Sequence, residues 1–266
     1  MPNIRTLLAK QLSGLMEREA TKIEGNETTK ISVIIVTYNA AQTLQACLDS
    51  IYAQKYPAIE IIIIDGQSTD ETVNIIQGNS DHIYCWKSEK DTGIYDAMNK
   101  ALKYVTGDWV YFLGADDVLL DGFTNLANEL SDPNAVYYGK VLTFGGPTFP
   151  VNTYSFAKIG ICHQAMIYPK AVFENHIFNT RYRISADYAL NMALFNSKTF
   201  YFTFKDHLVA RFNHTGVSTN NIDEVFENDR AGLIFKYFGL KIWLRFIFWR
   251  FKRDYKKRAA KKQVAL

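Results

Sequence analysis

Two carboxylates stand side by side in FLGADDV, residues 112–118, at the end of an aromatic and apolar run, with Gly114 two residues before Asp116. Crowded carboxylates at the tip of a buried strand repel each other. A divalent cation bridging them to a diphosphate removes that cost and neutralises a leaving group. Oxygen donors of this kind suit Mg2+ or Mn2+. A plain polar turn would also place Asp at a strand exit, so Asp116 and Asp117 have to be weighed with their surroundings.

Comparable residues follow three other apolar runs. ISVIIV leads into Thr37, Tyr38 and Asn39, IEIIII into Asp65 and Gly66, and HIYCWKS into Glu89 and Asp91. Tyr38 offers a ring face on which a base can stack, and Asp65 can accept a hydrogen bond from a uracil-like imide N–H. Gly66 permits close backbone approach, and Ser68 or Thr69 is suited to cap the next helix. Two frequent uses of such strand ends are excluded: the turn TYNAAQTL holds no glycine for a GxGxxG dinucleotide fingerprint, and no GxxxxGK[ST] phosphate loop is present. Cys162 beside His163 suggests a nucleophile and its base, but neighbours on a strand point to opposite faces.

The elements that must carry these residues are legible from periodicity. ISVIIVTYN and IEIIIIDG are nearly continuous β-branched runs, as in strands covered on both faces. Between them AQTLQACLDSIYAQ spaces Leu44, Cys47, Leu48 and Ile51 as one helical stripe. Helical TDETVNIIQGN, a short strand HIYCWKSE, helical GIYDAMNKALKYV and the strand DWVYFLGADD continue the alternation. The pattern predicts an α/β fold with an open, mostly parallel sheet and helices on both sides. Ligands of such sheets bind outside the carboxyl ends of the strands, where the residues above stand. From about Asn134 the reading changes to aromatic-rich strands, AVYYGKVLTF, QAMIYP and FYFTFKDHLVARF, around one helix at Ala186–Phe195.

At 266 residues the chain has room for one large domain and an appendage. Cys47, Cys85 and Cys162 are odd in number and lack CxxC spacing, which suggests neither a disulfide framework nor a thiolate metal site and fits a reduced, cytoplasmic setting. The first twenty residues read as a short amphipathic helix rather than a signal peptide, because Lys10, Glu17 and Arg18 interrupt the apolar stretch. The net charge of +3 conceals an asymmetry. Residues 241–266 hold ten Lys or Arg and one acid, a balance of +9 that leaves residues 1–240 at −6. An acidic body argues against a nucleic-acid-binding face.

The stretch Leu233–Phe251, LIFKYFGLKIWLRFIFWRF, raises the question of a membrane span. Its eleven Leu, Ile or Phe favour insertion by ~3 to 7 kcal/mol and its four basic residues oppose it by ~10 to 14 kcal/mol. Snorkelling of Lys236 and Arg250 brings the balance near zero. Lying in the interface avoids the penalty, and KRDYKKRAAKK adds attraction to an anionic membrane surface. The competing reading is a core or homodimer helix with a solvated tail.

In order along the chain, ISVIIVTYN, IIIIDGQSTDET, SEKDTGIYDAMNKAL, GDWVYFLGADD and ISADYAL together resemble the family 2 glycosyltransferases, in particular those that build bacterial surface polysaccharides, over about residues 31–218. The resemblance implies a Rossmann-like GT-A fold, here with a C-terminal amphipathic helical extension. With the readings of the two ends given above, the chain divides into an N-terminal helix and linker (1–30), a catalytic domain (31–220) and a basic membrane-associating segment (221–266). Within the domain, residues 31–130 would bind the nucleotide sugar and 131–220 the acceptor. Carried over by position, Thr37, Tyr38 and Asn39 would line the base and ribose pocket, Asp65 would read the base, and Asp91 and Gly93 would lie beside the nucleotide. Asp116 and Asp117 would stand at the metal and ribose, although Gly114 occupies a place where many members have aspartate.

The same resemblance makes Asp187, at the start of a helix that Ser185 could cap, the base that takes the acceptor's proton. It sets His163 and Gln164 at the diphosphate or acceptor and Ser218 near the donor; His214 either coordinates the metal or is a surface loop residue, the latter being the reading favoured here. The implied activity is inverting transfer from a UDP-sugar, a hexose or N-acetylhexosamine, to a lipid-linked saccharide at the cytoplasmic face of the membrane, with Mg2+ or Mn2+. A nucleotidyltransferase would need a glycine-rich basic loop after the first strand. A non-catalytic, membrane-attached nucleotide-sugar-binding protein is the alternative, with Gly114 its best support.

Overall fold

The computed structural model describes residues 29–213 and 221–264. The expected N-terminal helix, together with His214 and Ser218, lies outside the described residues. The first half alternates as its sequence predicts: β1 Ile31–Thr37, α1 Leu44–Tyr52, β2 Ile59–Asp65, α2 Thr72–Gly78, β3 Cys85–Ser88, α3 Ile94–Ala101 and β4 Trp109–Gly114. Then come β5 Val118–Leu119, α4 Gly122–Ala127, β6 Ala135–Thr143, β7 Gly146–Pro147, α5 Thr153–Ile159, β8 Met166–Pro169, α6 Val172–Asn175, α7 Ala186–Phe195 and β9 Tyr201–Arg211. The C-terminal α8 spans Glu224–Val264.

One nine-stranded sheet runs through both halves in the order β3-β2-β1-β4-β8-β6-β9-β5, with β7 on β6. Strands β3, β2, β1 and β4 are parallel neighbours, and β8 joins β4 antiparallel. Their register positions the site. Thr37 pairs with Asp65, Asp65 with Ser88, and Val36 with Gly114, so the polar residues following each strand emerge on one edge.

The β-branched runs form strands because both faces are covered. Ile31, Val33 and Ile35 pack in one core with Leu44, Cys47, Leu48 and Ile51 of α1, while Ile34 joins Met98 of α3 and Leu190 of α7 in the other. The second half holds more helix than its sequence suggested. Thr153–Ile159 forms α5 behind a reciprocal cap, in which Asn152 Oδ1 accepts from the Ser155 amide at 2.9 Å and the Asn152 amide donates to Ser155 Oγ at 2.8 Å. His163–Ala165, read as part of a strand, is a 3-10 turn.

Helix α8 bends at Gly239, whose φ of 74° and ψ of 177° are open essentially to glycine alone. Beyond the bend its inner side packs on the body through Ile242, Trp243, Phe246, Ile247 and Trp249. Its outer side exposes Leu240, Leu244, Phe248, Phe251 and Tyr255 at one-turn spacing.

Candidate active site

The parallel strands end in a tightly bonded cluster. Asp65 is 0% exposed. Its carboxylate accepts from Thr37 Oγ1 (3.0 Å), the Ser68 amide (3.0 Å), Ser88 Oγ (2.6 Å) and Ser68 Oγ. Four donors fill the lone pairs of a carboxylate, so a base reaches Asp65 only when a hydroxyl turns away. Ser68 is therefore a partner of Asp65 and not the expected helix cap, and α2 starts three residues beyond Thr69, at Thr72. Asn39 and Gln67 both adopt left-handed backbone, at φ 50° and 61°. Asn is among the residues that tolerate it, and here it is held by the β2 exit: its amide donates to Ser68 Oγ and its Oδ1 accepts from the Thr69 amide, each at 2.8 Å.

Next to this cluster Tyr38 is 66% exposed. A side chain at Gly66 would meet Asp91 Oδ2 at 2.6 Å, so the glycine lets the β2 exit lie against the turn that opens α3. Asp91 Oδ1 accepts from the Gly93 amide at 2.9 Å.

Asp116 and Asp117 differ in availability. Asp117, 1% exposed, is enclosed: Oδ2 accepts from Gln164 Nε2 and Oδ1 from the Asn213 amide, each at 2.7 Å. Burial pushes its carboxyl above the usual range, against the Asn213 amide and with help from the Asp116 charge. Asp116 is half-buried and likewise raised by burial. A side chain at Gly114 would fall on Asp117 Oδ2. The glycine thus makes room for the second acid. Among the described residues no three His, Cys, Asp or Glu converge on a common centre. What fits a divalent cation is the Asp116 carboxylate with substrate phosphates, the sparse protein ligation typical of Mg2+.

The third component is Asp187 at the start of α7. Its Oδ1 lies 2.6 Å from the Tyr95 hydroxyl and its Oδ2 3.1 Å from His163 Nδ1. Both side chains of the ion pair are shielded, 15% and 20% exposed. Burial alone would raise Asp187, but the His163 bond and charge and the Tyr95 hydroxyl outweigh it and hold the carboxyl below the usual range. His163 shows the reverse, with burial lowering it and Asp187 raising it to a net increase.

The 3-10 turn links the two acidic centres, because His163 bonds Asp187 and the next residue, Gln164, bonds Asp117. Tyr111 fixes the turn by donating to the Gln164 carbonyl at 2.5 Å. Cys162 is not a nucleophile partnered with His163. Its thiol donates to Gln164 Oε1 at 2.7 Å and burial pushes it up to about 12.

Ser185 does not cap α7 through its side chain. Asp223, just before α8, accepts from the amides of Ile184 (2.9 Å) and Ser185 (3.2 Å) instead. Tyr95, Ser88 and Asp223 were not singled out in the sequence. Tyr95 lies inside the helical stretch GIYDAMNKALKYV, and only the fold brings its hydroxyl to Asp187.

The model of the family "Glycosyl transferase family 2" matches residues 32–204, more than half of the chain. The chain belongs to glycosyltransferase family 2. A "PGL/p-HBAD biosynthesis glycosyltransferase" of Mycobacterium bovis is 36% identical over 205 residues, covering 72% of this chain and 79% of the relative. The Escherichia coli "UDP-Glc:alpha-D-GlcNAc-diphosphoundecaprenol beta-1,3-glucosyltransferase WfaP" is 39% identical over 101 residues, 38% of this chain and 39% of the relative.

Among solved structures, S. aureus TarS 1–349 in complex with UDP-GlcNAc superposes with a TM-score of 0.67 at 19% identity, covering 82% of this chain and 71% of TarS. The mannosyltransferase PcManGT from Pyrobaculum calidifontis, in complex with GDP-Man and Mn2+, gives 0.58 at 21% identity over 80% and 64%. These likenesses bear out the GT-A fold. The family 2 glycosyltransferase described here thus carries its four strand ends, its acid pair and Asp187 on the framework of an enzyme that transfers sugars.

Proposed function

We propose that this glycosyltransferase moves a hexose or N-acetylhexosamine from a UDP-sugar to a hydroxyl of a lipid-linked saccharide, with inversion, in cell-surface polysaccharide synthesis. The observation that carries this reading is Asp187, a shielded carboxylate held ionised by His163 and joined through the 163–165 turn to the acid pair. Support for the donor and acceptor classes comes from the Escherichia coli relative, whose name specifies UDP-Glc and a diphosphoundecaprenol-linked sugar.

In this reading residues 31–130 hold the donor and 131–220 the acceptor. Uracil stacks on Tyr38 and reads Asp65 as Ser68 or Ser88 rotates aside, while Thr37, Asn39, Gly66, Asp91 and Gly93 border the nucleotide. A divalent cation, Mg2+ or Mn2+, supplies neutralisation of the diphosphate and would be held by Asp116, with Asp117 buttressing it from behind. His163 borders the diphosphate and acceptor, while Gln164, expected there with it, is buried with its side chain bonded to Asp117 and Cys162 and supports the acid pair instead. Asp187 takes the acceptor hydroxyl's proton as the new C1–O bond forms and the C1–O bond to the diphosphate breaks on the opposite face. A weak base suffices because the hydroxyl becomes acidic as its oxygen attacks. Ser218, near the donor in the same reading, lies outside the described residues.

Helix α8 supports a peripheral place at the cytoplasmic face of a membrane. No helix of the described residues is long and apolar enough to cross one. The exposed stripe Leu240, Leu244, Phe248, Phe251 and Tyr255 runs beside exposed Lys241, Arg245, Lys252 and Lys256, an arrangement suited to acyl chains and anionic headgroups. Pairing two copies through this face would bring like-charged rows together.

The test is UDP release from a panel of UDP-sugars with Mn2+, Mg2+ or EDTA. Turnover of at least one donor, lost with EDTA and in Asp116→Ala, is expected. No turnover and no binding of any UDP-sugar would overturn the reading.

A further inference from the structure

Tyr95 is the second residue of α3 and is buried, packed on Phe178 at 5.2 Å between ring centroids. Its hydroxyl sits between two acceptors, Asp187 Oδ1 at 2.6 Å and the Ile184 carbonyl at 2.7 Å. A phenol has one proton to give, so the two acceptors share it, and the hydroxyl lies at the point where the carboxylate meets the chain segment leading into it. Two residues earlier, Gly93 bonds Asp91, and Asp91 lies against Gly66 at the end of β2. The path from the donor-side turn to Asp187 therefore runs through one helical turn and one side chain. His163 holds the other carboxylate oxygen but hangs from the 163–165 turn, on the side of the acid pair.

We propose that Tyr95 is a positioning residue that ties the Asp187 carboxylate to the turn bordering the donor, so that the base is set by the same element that meets the nucleotide sugar. This rests on the assignment of Asp187 as the base. The groups facing Asp187 are His163 and Cys162 from the turn and its entry, Tyr168 from β8, Tyr188 from α7 and Tyr95 itself, with Asp117 beyond His163. Of the three tyrosines, Tyr95 is the one bonded to the carboxylate. Tyr168 bonds Asn191, and Tyr188 bonds the carbonyls of Phe156 and Ala157. Misplacing a reacting group by about 1 Å costs on the order of 100-fold in rate, so a missing tether should be visible in turnover while donor binding stays intact.

The experiment is Tyr95→Phe, which keeps the ring and removes the proton. Expected are an unchanged donor Kd, a kcat lower by ~10- to 100-fold, and an acidic limb of the rate profile moved to higher pH, because the carboxylate loses a donor that stabilised its charge. In an Asp187→Asn background the same substitution should add no further loss, since the two act as one unit. Should Tyr95→Phe fold poorly, 3-fluorotyrosine at position 95, a stronger donor of nearly the same shape, should shift the acidic limb to lower pH. A wild-type kcat and pH profile in Tyr95→Phe, or additive losses in the double variant, would overturn the proposal while leaving the transferase reading in place. An inactive wild type would instead count against that reading.

Discussion

At the scale of single residues, the Asp187–His163 contact makes the site's charge state a function of pH. Asp187 is held below its ordinary value, so its contribution to stability is present above the unfolded carboxyl pKa of about 3.9 and fades as pH falls through the lower folded value. His163 is raised, so its contribution is complete below about pH 6.5 and fades as pH rises through the higher folded value. Between these limits both partners are charged. Thermal unfolding of His163→Asn against wild type should therefore show its largest deficit between about pH 4 and 6.5 and a narrowing gap above. A deficit that widened with pH would refute the ion pair.

The residue types at the strand ends were readable because buried runs stop abruptly at Thr37, Asp65 and Gly114. Their partners were not. Tyr95 lies 92 residues from Asp187 and Gln164 lies 47 from Asp117, and no local spacing records such meetings. The same limit hid that Asp65 is already surrounded by hydroxyl donors.

At the scale of elements, α8 is two helical segments joined at Gly239. Arg230 locks the first segment to the body, donating to the Lys158 carbonyl and pairing with Glu227, with its guanidinium 5.4 Å from the Tyr188 ring centre. Asp223, ahead of that segment, holds the amides leading into α7. The second segment turns its apolar stripe outward. Sedimentation with vesicles rich in anionic lipid should therefore weaken by ~10- to 100-fold in Leu244→Glu/Phe248→Glu, where two large apolar side chains leave the interface, and should fall with added salt. Equal sedimentation of variant and wild type, with a change of oligomeric state instead, would reassign the face to a second copy.

The sequence showed the apolar and basic content of this segment but not its division into packed and exposed sides, which depends on the bend at Gly239. Helix α5 escaped notice for a different reason. Its cap, Asn152 with Ser155, is a short local signal inside an aromatic-rich stretch that reads equally as strand.

At the scale of the whole molecule, the parallel half follows from local alternation, since each β-strand–helix–β-strand passage lays the next strand beside the last. The second half does not. There β6 pairs parallel with β9, some sixty residues on, through a register shift next to Gly139, and antiparallel with β8. Non-local pairings of this kind leave little trace in periodicity. The result is one sheet whose parallel edge presents Thr37, Asp65 and the acid pair, and whose mixed half carries the 163–165 turn that joins Asp187 to Asp117 through His163 and Gln164.

That convergence is the central claim, and Asp187→Asn tests it most directly. Its nearly isosteric amide cannot take a proton. With the UDP-sugar that the wild type turns over, transfer should fall by ~100- to 10,000-fold while the donor binds as tightly as before. Transfer at the wild-type rate would contradict the account, because the proton would then be leaving by another route.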